Sequence, residues 1–213
     1  TNDEISKIFE PGVPLPSDRL RTIKKLKLNG FSCGMYLLPV IPFITDTEKI
    51  MRKTIEDAYQ AGVDYIIFGG MTLKSGRQKD YFYNKIDKFY PDLLPSYEMI
   101  YTDDKWGNAT KEYYRSIDRT FQTIMKQYSI PKRIPPVLFK DSVSENDLVV
   151  IILDQLHYLV SLQGKKSPYG FAAYNISKLD RDLSSMKNKL QSIKGVGQVT
   201  ERIILEILET GTS

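Results

Sequence analysis

The sequence predicts an α/β segment followed by an all-α module. Three observations carry this. Two apolar runs, FSCGMYLL at 31–38 and VDYIIF at 63–68, start 32 residues apart with a helical pattern between them. A parallel strand pair needs a crossover of about that length. Beyond residue 108 the apolar positions recur at helical spacing, and the last two helical patterns meet at IKGVGQVT, residues 193–200.

The elements follow in order. Residues 11–18, PGVPLPSD, read as a Pro-rich opening loop. Ser17 or Asp18 is placed to cap a helix over 19–29, and Gly30 is suited to the position just past its end. The strand over 31–38 ends at Pro39-Val40-Ile41-Pro42. Thr45 to Glu48 reads as a capping box for a helix that runs to Ala61 and stops at Gly62. The second strand, 63–68, closes on Gly69 and Gly70. Two strands are too few for a parallel sheet covered on both faces. Either more strands follow, or the chain is the tail end of a larger barrel.

No further strand pattern follows. Residues 78–89 read as helix; 90–107, with Pro91, Pro95, Asp103, Asp104 and Gly107, read mostly as loop. Asn108 is placed to cap a long helix reaching Tyr128, with Tyr114, Ile117, Phe121, Ile124 and Tyr128 on one stripe. SIPKRIPP at 129–136 breaks it, because paired prolines suit neither helix nor sheet interior. The remainder reads as a buried helix over 147–163, a loop over 164–176, a helix over 178–192 and a last helix over 199–209. The predicted domains are 1–75, 76–144 and 145–213, with a boundary near 130–146.

Composition narrows the function. The chain has 213 residues and a formal charge of +4, which permits an anionic partner without requiring one. One cysteine and one histidine exclude a disulfide framework, any zinc or cluster site built mainly from this chain's thiolates, and any multi-histidine site. No apolar run reaches the ~18 residues of a membrane span. Residues 1–10 are too polar for a signal peptide, so a cytoplasmic protein is expected, and Cys33 fits that. P-loop and dinucleotide fingerprints are absent, and His157 has no catalytic motif around it.

The clearest local chemistry is at 193–200. Leu190 and Ile193 precede the Gly-x-Gly turn, and Ile203, Ile204 and Ile207 follow at helical spacing. Gly195 and Gly197 leave room for close backbone approach, and the next helix start directs unpaired N–H groups outward, as phosphate requires. This pattern resembles the helix-hairpin-helix motif of DNA repair and recombination proteins. The resemblance implies a sequence-independent grip on a DNA backbone by Lys194, Gly195, Val196, Gly197, Gln198 and Thr200, with a monovalent cation at the turn. Such hairpins often come in pairs, and the 147–163 helix with Gly164-Lys165-Lys166 reads as a degenerate first copy. Residues 176–213 carry six basic against five acidic side chains, which fits modest binding. Lys132 and Arg133 form a second exposed anion contact.

The first 80 residues carry another resemblance. Phe9-Glu10-Pro11, Arg19-Leu20 through Gly30, Pro39 to Pro42 with Thr45-Asp46, and Gly62 through Gly70 occur in order. Together with KRIPP at 132–136, they resemble the C-terminal part of radical S-adenosylmethionine enzymes of the spore photoproduct lyase, or DNA repair photolyase-like, group. That resemblance implies the last two β/α units of a partial TIM-type barrel over 1–75. It implies cofactor contacts at the strand ends, Val40, Ile41, Pro42, Gly69, Gly70 and Met71, with Glu10 and Arg19 as further contacts. It also implies a [4Fe-4S] cluster and S-adenosylmethionine in the intact protein. The cysteine loop that holds the cluster in that group is absent, and Cys33 stands alone in an apolar run. Neither group is therefore expected on this chain alone. With its non-Met start at Thr1, the chain is expected to be the C-terminal portion of a longer protein, partnered by the missing N-terminal half of the barrel.

Lys74, Arg77 and Lys79 follow the second strand, where they suit either phosphates or a solvated helix start. Eight of the 14 tyrosines fall between residues 81 and 128, and core packing accounts for Tyr114 and Tyr128. The resulting expectation is a radical enzyme whose tail holds DNA. A non-catalytic DNA-binding or scaffold protein, and a radical enzyme acting on RNA or protein, remain alternatives.

Overall fold

The computed structural model describes residues 2–102, 104–139 and 141–212; the readings placed on Thr1 and Asp103 lie outside the described residues. The chain divides into two compact units, Thr1–Ile134 and Pro135–Ser213. The first contains α1 (Asp3–Phe9), α2 (Pro16–Leu28), β1 (Met35–Val40), α3 (Glu48–Ala61), β2 (Ile66–Gly70), α4 (Arg77–Phe89), α5 (Leu94–Ile100) and α6 (Lys111–Met125). The second contains α7 (Glu145–Leu162), α8 (Tyr169–Ile176) and α9 (Gln198–Thr210), with 3-10 turns over Leu183–Ser192.

No partial TIM-type barrel is present among the described residues. β1 and β2 pair in parallel as a two-stranded sheet, and the rest of the regular structure is helical. The expected last two β/α units of a barrel are thus corrected to a mostly helical fold with one small sheet. A strand–helix–strand pattern is local: it fixes a parallel pair but not how many strands that pair joins.

α3 forms where its signals predict. Thr47 caps it by accepting a hydrogen bond from the Ile50 N–H, and Gly62 ends it in a left-handed conformation. Thr45 is not the cap; its hydroxyl accepts the Ile41 N–H at 2.7 Å. α6 is capped by Thr110 rather than Asn108. α2 starts early, at Pro16, with no side-chain cap. The strands begin four and three residues later than expected, at Met35 and Ile66. The 90–107 segment holds α5, because Pro91 and Pro95 sit in first helical turns, where a missing N–H is harmless.

α3 and α6 pack on the sheet. Val40 and Ile66 are buried with Met51 and Ile55 of α3 and with Phe121 and Ile124 of α6. Phe121 stacks on Phe68 of β2, ring centroids 4.3 Å apart. A second cluster joins α4 and α5 through Phe82, Ile86, Tyr97 and Tyr101.

The sheet has one open edge. The Met35 N–H donates to the Tyr65 carbonyl, so alternation turns the Tyr36 N–H away from β2. On the far side of β2, the Ile66 N–H donates to Pro131. No strand pairs with the outer edge of β1 among the described residues; the 57% exposure of Tyr36 belongs to the sheet face opposite the one that packs on α3 and α6.

In the second unit, Leu153 of α7, Ala172 and Ile176 of α8, Leu183 and Leu190 of the 3-10 turns, and Ile204 of α9 share one core. α8 occupies part of the expected 164–176 loop. Gly170 lies inside it because a side chain there would meet the His157 ring at 3.0 Å. The expected 178–192 helix is instead 3-10 turns broken at Met186 and Lys189. Spacings of three and four residues do not separate the two helix types. α7 is not buried all round: the core covers its first half, while His157, Tyr158, Leu159 and Leu162 are exposed.

Candidate functional site

The register sets Val40 beside Gly70, so residues 40–42 and 69–71 meet at one end of the sheet. Tyrosines from α5 and α6 hold that end. The Tyr97 hydroxyl donates to the Pro42 carbonyl at 2.6 Å, and the Tyr101 and Tyr114 hydroxyls both donate to the Met71 carbonyl at 2.8 and 2.9 Å. The Tyr113 hydroxyl donates to the Asp46 carboxylate at 3.1 Å. Burial, with Asp46 nearby, pushes the phenols of Tyr97 and Tyr113 well above the ordinary tyrosine range; burial does the same at Tyr101. All three stay protonated and act as donors. Tyr97→Phe leaves the Pro42 carbonyl without this donor and is expected to cost about 1–3 kcal/mol in urea unfolding. Tyr101→Phe is expected to cost less, because Tyr114 still serves Met71.

Not every strand-end residue faces open space. Val40 is buried. At Gly70, the position of a missing side chain is filled by the Tyr114 ring, 2.4 Å from an ideal Cβ, and at Gly69 the Leu38 side chain lies against it. Ile41 and Met71 do line a cavity of about 1170 Å³, with Leu38 and Pro39. Glu10 and Arg19 border it, joined by an ion pair of 2.8 Å. The cavity thus has an apolar wall and a charged border that holds Asp80 besides the Glu10–Arg19 pair, a surface suited to an apolar group with a polar or charged end.

Arg77 also lines this cavity, while Lys74 lies 5.2 Å from the Trp106 ring and Lys79 lies 5.6 Å from the Tyr83 ring. The Trp106 loop is held by the Asp104 carboxylate, which accepts the Asn108 and Trp106 N–H groups, each at 2.9 Å. Those bonds, Asn108 first, hold the Asp104 carboxyl below its ordinary value. A depressed folded-state value means the loop is stabilised above the ordinary aspartate pKa. That support is lost as pH falls through the depressed value. Emission from Trp106, the sole tryptophan, is expected to shift in that acid range and to be steady above it.

Lys132 donates to the Gln122 side chain, and Lys132 and Arg133 belong to the first unit, whereas the hairpin belongs to the second.

In the hairpin, Gly195 has φ +91° and the Val196 N–H closes the turn on the Ile193 carbonyl at 3.0 Å. A Cβ at Gly195 would lie 2.7 Å from Phe171 Cδ1 and 3.2 Å from the Ala172 nitrogen, so the turn packs directly on α8. Gly195→Ala is expected to lower stability by about 1–3 kcal/mol, read by thermal unfolding, through the left-handed backbone and this contact. Ile193, Val196 and Thr200 are buried, Thr200 at 2% exposure. Val196 and Thr200 therefore secure the hairpin from inside, while Lys194, Gly197 and Gln198 are exposed.

Gly197 is the N-cap of α9, with extended φ −100° and ψ 179°, and no side chain caps the helix. An ideal Cβ there meets nothing within 4 Å. The uncapped amides of the first turn, with Lys194 beside them, form a surface for an anion. Glu201, in the same turn, is engaged by the Gln191 side chain. Phe171 and Tyr174 of α8, beside the hairpin, escape the sequence reading because Pro168 and Gly170 make their segment read as loop.

No family model and no solved structure matches the chain. An uncharacterized protein of Mycobacterium tuberculosis is 26% identical over 98 residues, 46% of this chain and 28% of that protein. An uncharacterized protein of Methanocaldococcus jannaschii is 28% identical over 123 residues, 58% of this chain and 40% of that protein. The matched part is thus well under half the length of either relative. No helix among the described residues is long and apolar enough to cross a membrane, and no group of three or more metal-ligating side chains occurs among them.

Proposed function

We propose that this chain holds DNA through the hairpin at 193–200, without sequence preference, as part of a longer cytoplasmic radical S-adenosylmethionine protein. The observation that carries the DNA reading is the start of α9: exposed, with no side-chain cap and open space at Gly197, and with the exposed Lys194 three residues earlier in the same turn. Amides so placed contact phosphate oxygens and carry no base information. The test is duplex binding by the full chain across salt concentrations. Affinity is expected to fall as salt rises, with similar values for unrelated sequences. Absent or salt-independent binding contradicts the reading.

The longer-protein reading rests on the resemblance over residues 5–75 and is supported by the open β1 edge. A parallel pair with an unpaired edge strand is suited to a further polypeptide segment. The cluster does not fit this chain: it has one cysteine, so the ligands belong to that further segment. S-adenosylmethionine, if bound in the complete protein, would supply the radical chemistry. Of the strand-end residues, Ile41 and Met71 line the cavity and are assigned to its apolar part. Iron and sulfide reconstitution of the complete protein, scored for cofactor cleavage, tests this; cleavage-free reconstituted protein contradicts it.

A further inference from the structure

The hairpin borders a surface that backbone binding does not use. Gly195 packs on Phe171, and Lys194 Nζ lies 5.7 Å from the centre of the same ring. Phe171 and Tyr174 are three residues apart on α8, hence on one face. Both are large rings left half-exposed, at 50% and 56%. Lys178, one turn beyond Tyr174, lies 3.9 Å from its ring centre. Two aromatic rings, each attended by a lysine, thus lie on α8, the first of them against the Gly195 turn that leads into α9. Rings next to cations accept bases by stacking, whatever their identity, because every base has a π-face. A blunt duplex offers stacked bases in its interior and leaves these rings unused.

We infer that Phe171 and Tyr174 form a stacking platform for an unpaired DNA base beside the hairpin, so that the preferred ligand is DNA with a single-stranded extension rather than continuous duplex. This rests on the hairpin reading. A phosphate engages the α9 amides, Lys194 and Lys178 attract the neighbouring phosphates, and the base that follows leaves the stack to lie on Phe171 or Tyr174.

The test compares two DNAs on the full chain: a short blunt duplex, and the same duplex with a thymine overhang containing one 2-aminopurine. The overhang form is expected to bind about tenfold more tightly, with quenched 2-aminopurine emission. In Phe171→Leu/Tyr174→Leu the affinity ratio is expected to fall towards one and the quenching to disappear. Tyr174→Leu alone gives a partial loss of both, and guards against misfolding where Phe171 supports the hairpin. Equal affinity for the two DNAs in the native chain, or an unchanged ratio in the variants, overturns the platform. If blunt duplex still binds in a salt-dependent way, only the platform falls. If neither DNA binds, the hairpin reading falls with it.

Discussion

Phe121→Ala is expected to destabilise the first unit by about 3–5 kcal/mol, the range for removing a buried aromatic ring. Phe121 is 2% exposed and stacks on Phe68, which ties α6 to β2. Its neighbours in the cluster, Met51 and Ile55, come from α3, so one ring joins both helices to the strand pair. The cavity left behind adds to the lost transfer energy because three separate elements surround it and cannot all collapse inward. Urea unfolding followed by Trp106 emission reports on this unit. A change below about 1 kcal/mol, the typical cost of an ordinary substitution, contradicts the packing described.

Legibility in the sequence follows the range of the interaction. The Phe121 stripe and the stop at Gly62 were readable because helical periodicity and a left-handed cap are written within a few residues. The turn at Gly195 and the start of α9 were readable for the same reason, but the helix expected before the turn is 3-10 structure broken at Met186 and Lys189, so the helix-hairpin-helix is formed only in its second half. α8 was hidden, since Pro168 and Gly170 indicate a loop by themselves. Only the His157 ring, brought from α7, makes Gly170 a helix-packing residue. Gly70 was expected to admit a cofactor, yet Tyr114 takes that space from another element. The barrel expectation failed in the same way, because a local crossover pattern says nothing of strands outside it. At the turn, Val196 and Thr200 were grouped with Gly197 by sequence proximity, although burial turns their side chains inward.

Gly197→Asp separates folding from binding by moving them in opposite directions. Gly197 already has the extended backbone of an N-cap, and its missing side chain faces open space. Aspartate is a favoured N-cap: its carboxylate accepts first-turn amides and complements the helix dipole. The second unit is therefore expected to gain roughly 0.5 kcal/mol. The same carboxylate occupies the amides and repels phosphate, so duplex affinity is expected to drop at least about tenfold, the loss of one charge-assisted contact. Gly197→Asn caps the helix without the charge and is expected to fall between the native chain and the aspartate variant.

The central claim, that DNA phosphate sits on the α9 amides, is tested most directly by the salt dependence of duplex affinity for the native chain and Gly197→Asp side by side. Weaker binding and a shallower salt slope are expected in the variant, by about one phosphate contact, in a protein at least as stable as the native one. Equal affinity and equal slope in a folded Gly197→Asp variant would contradict it.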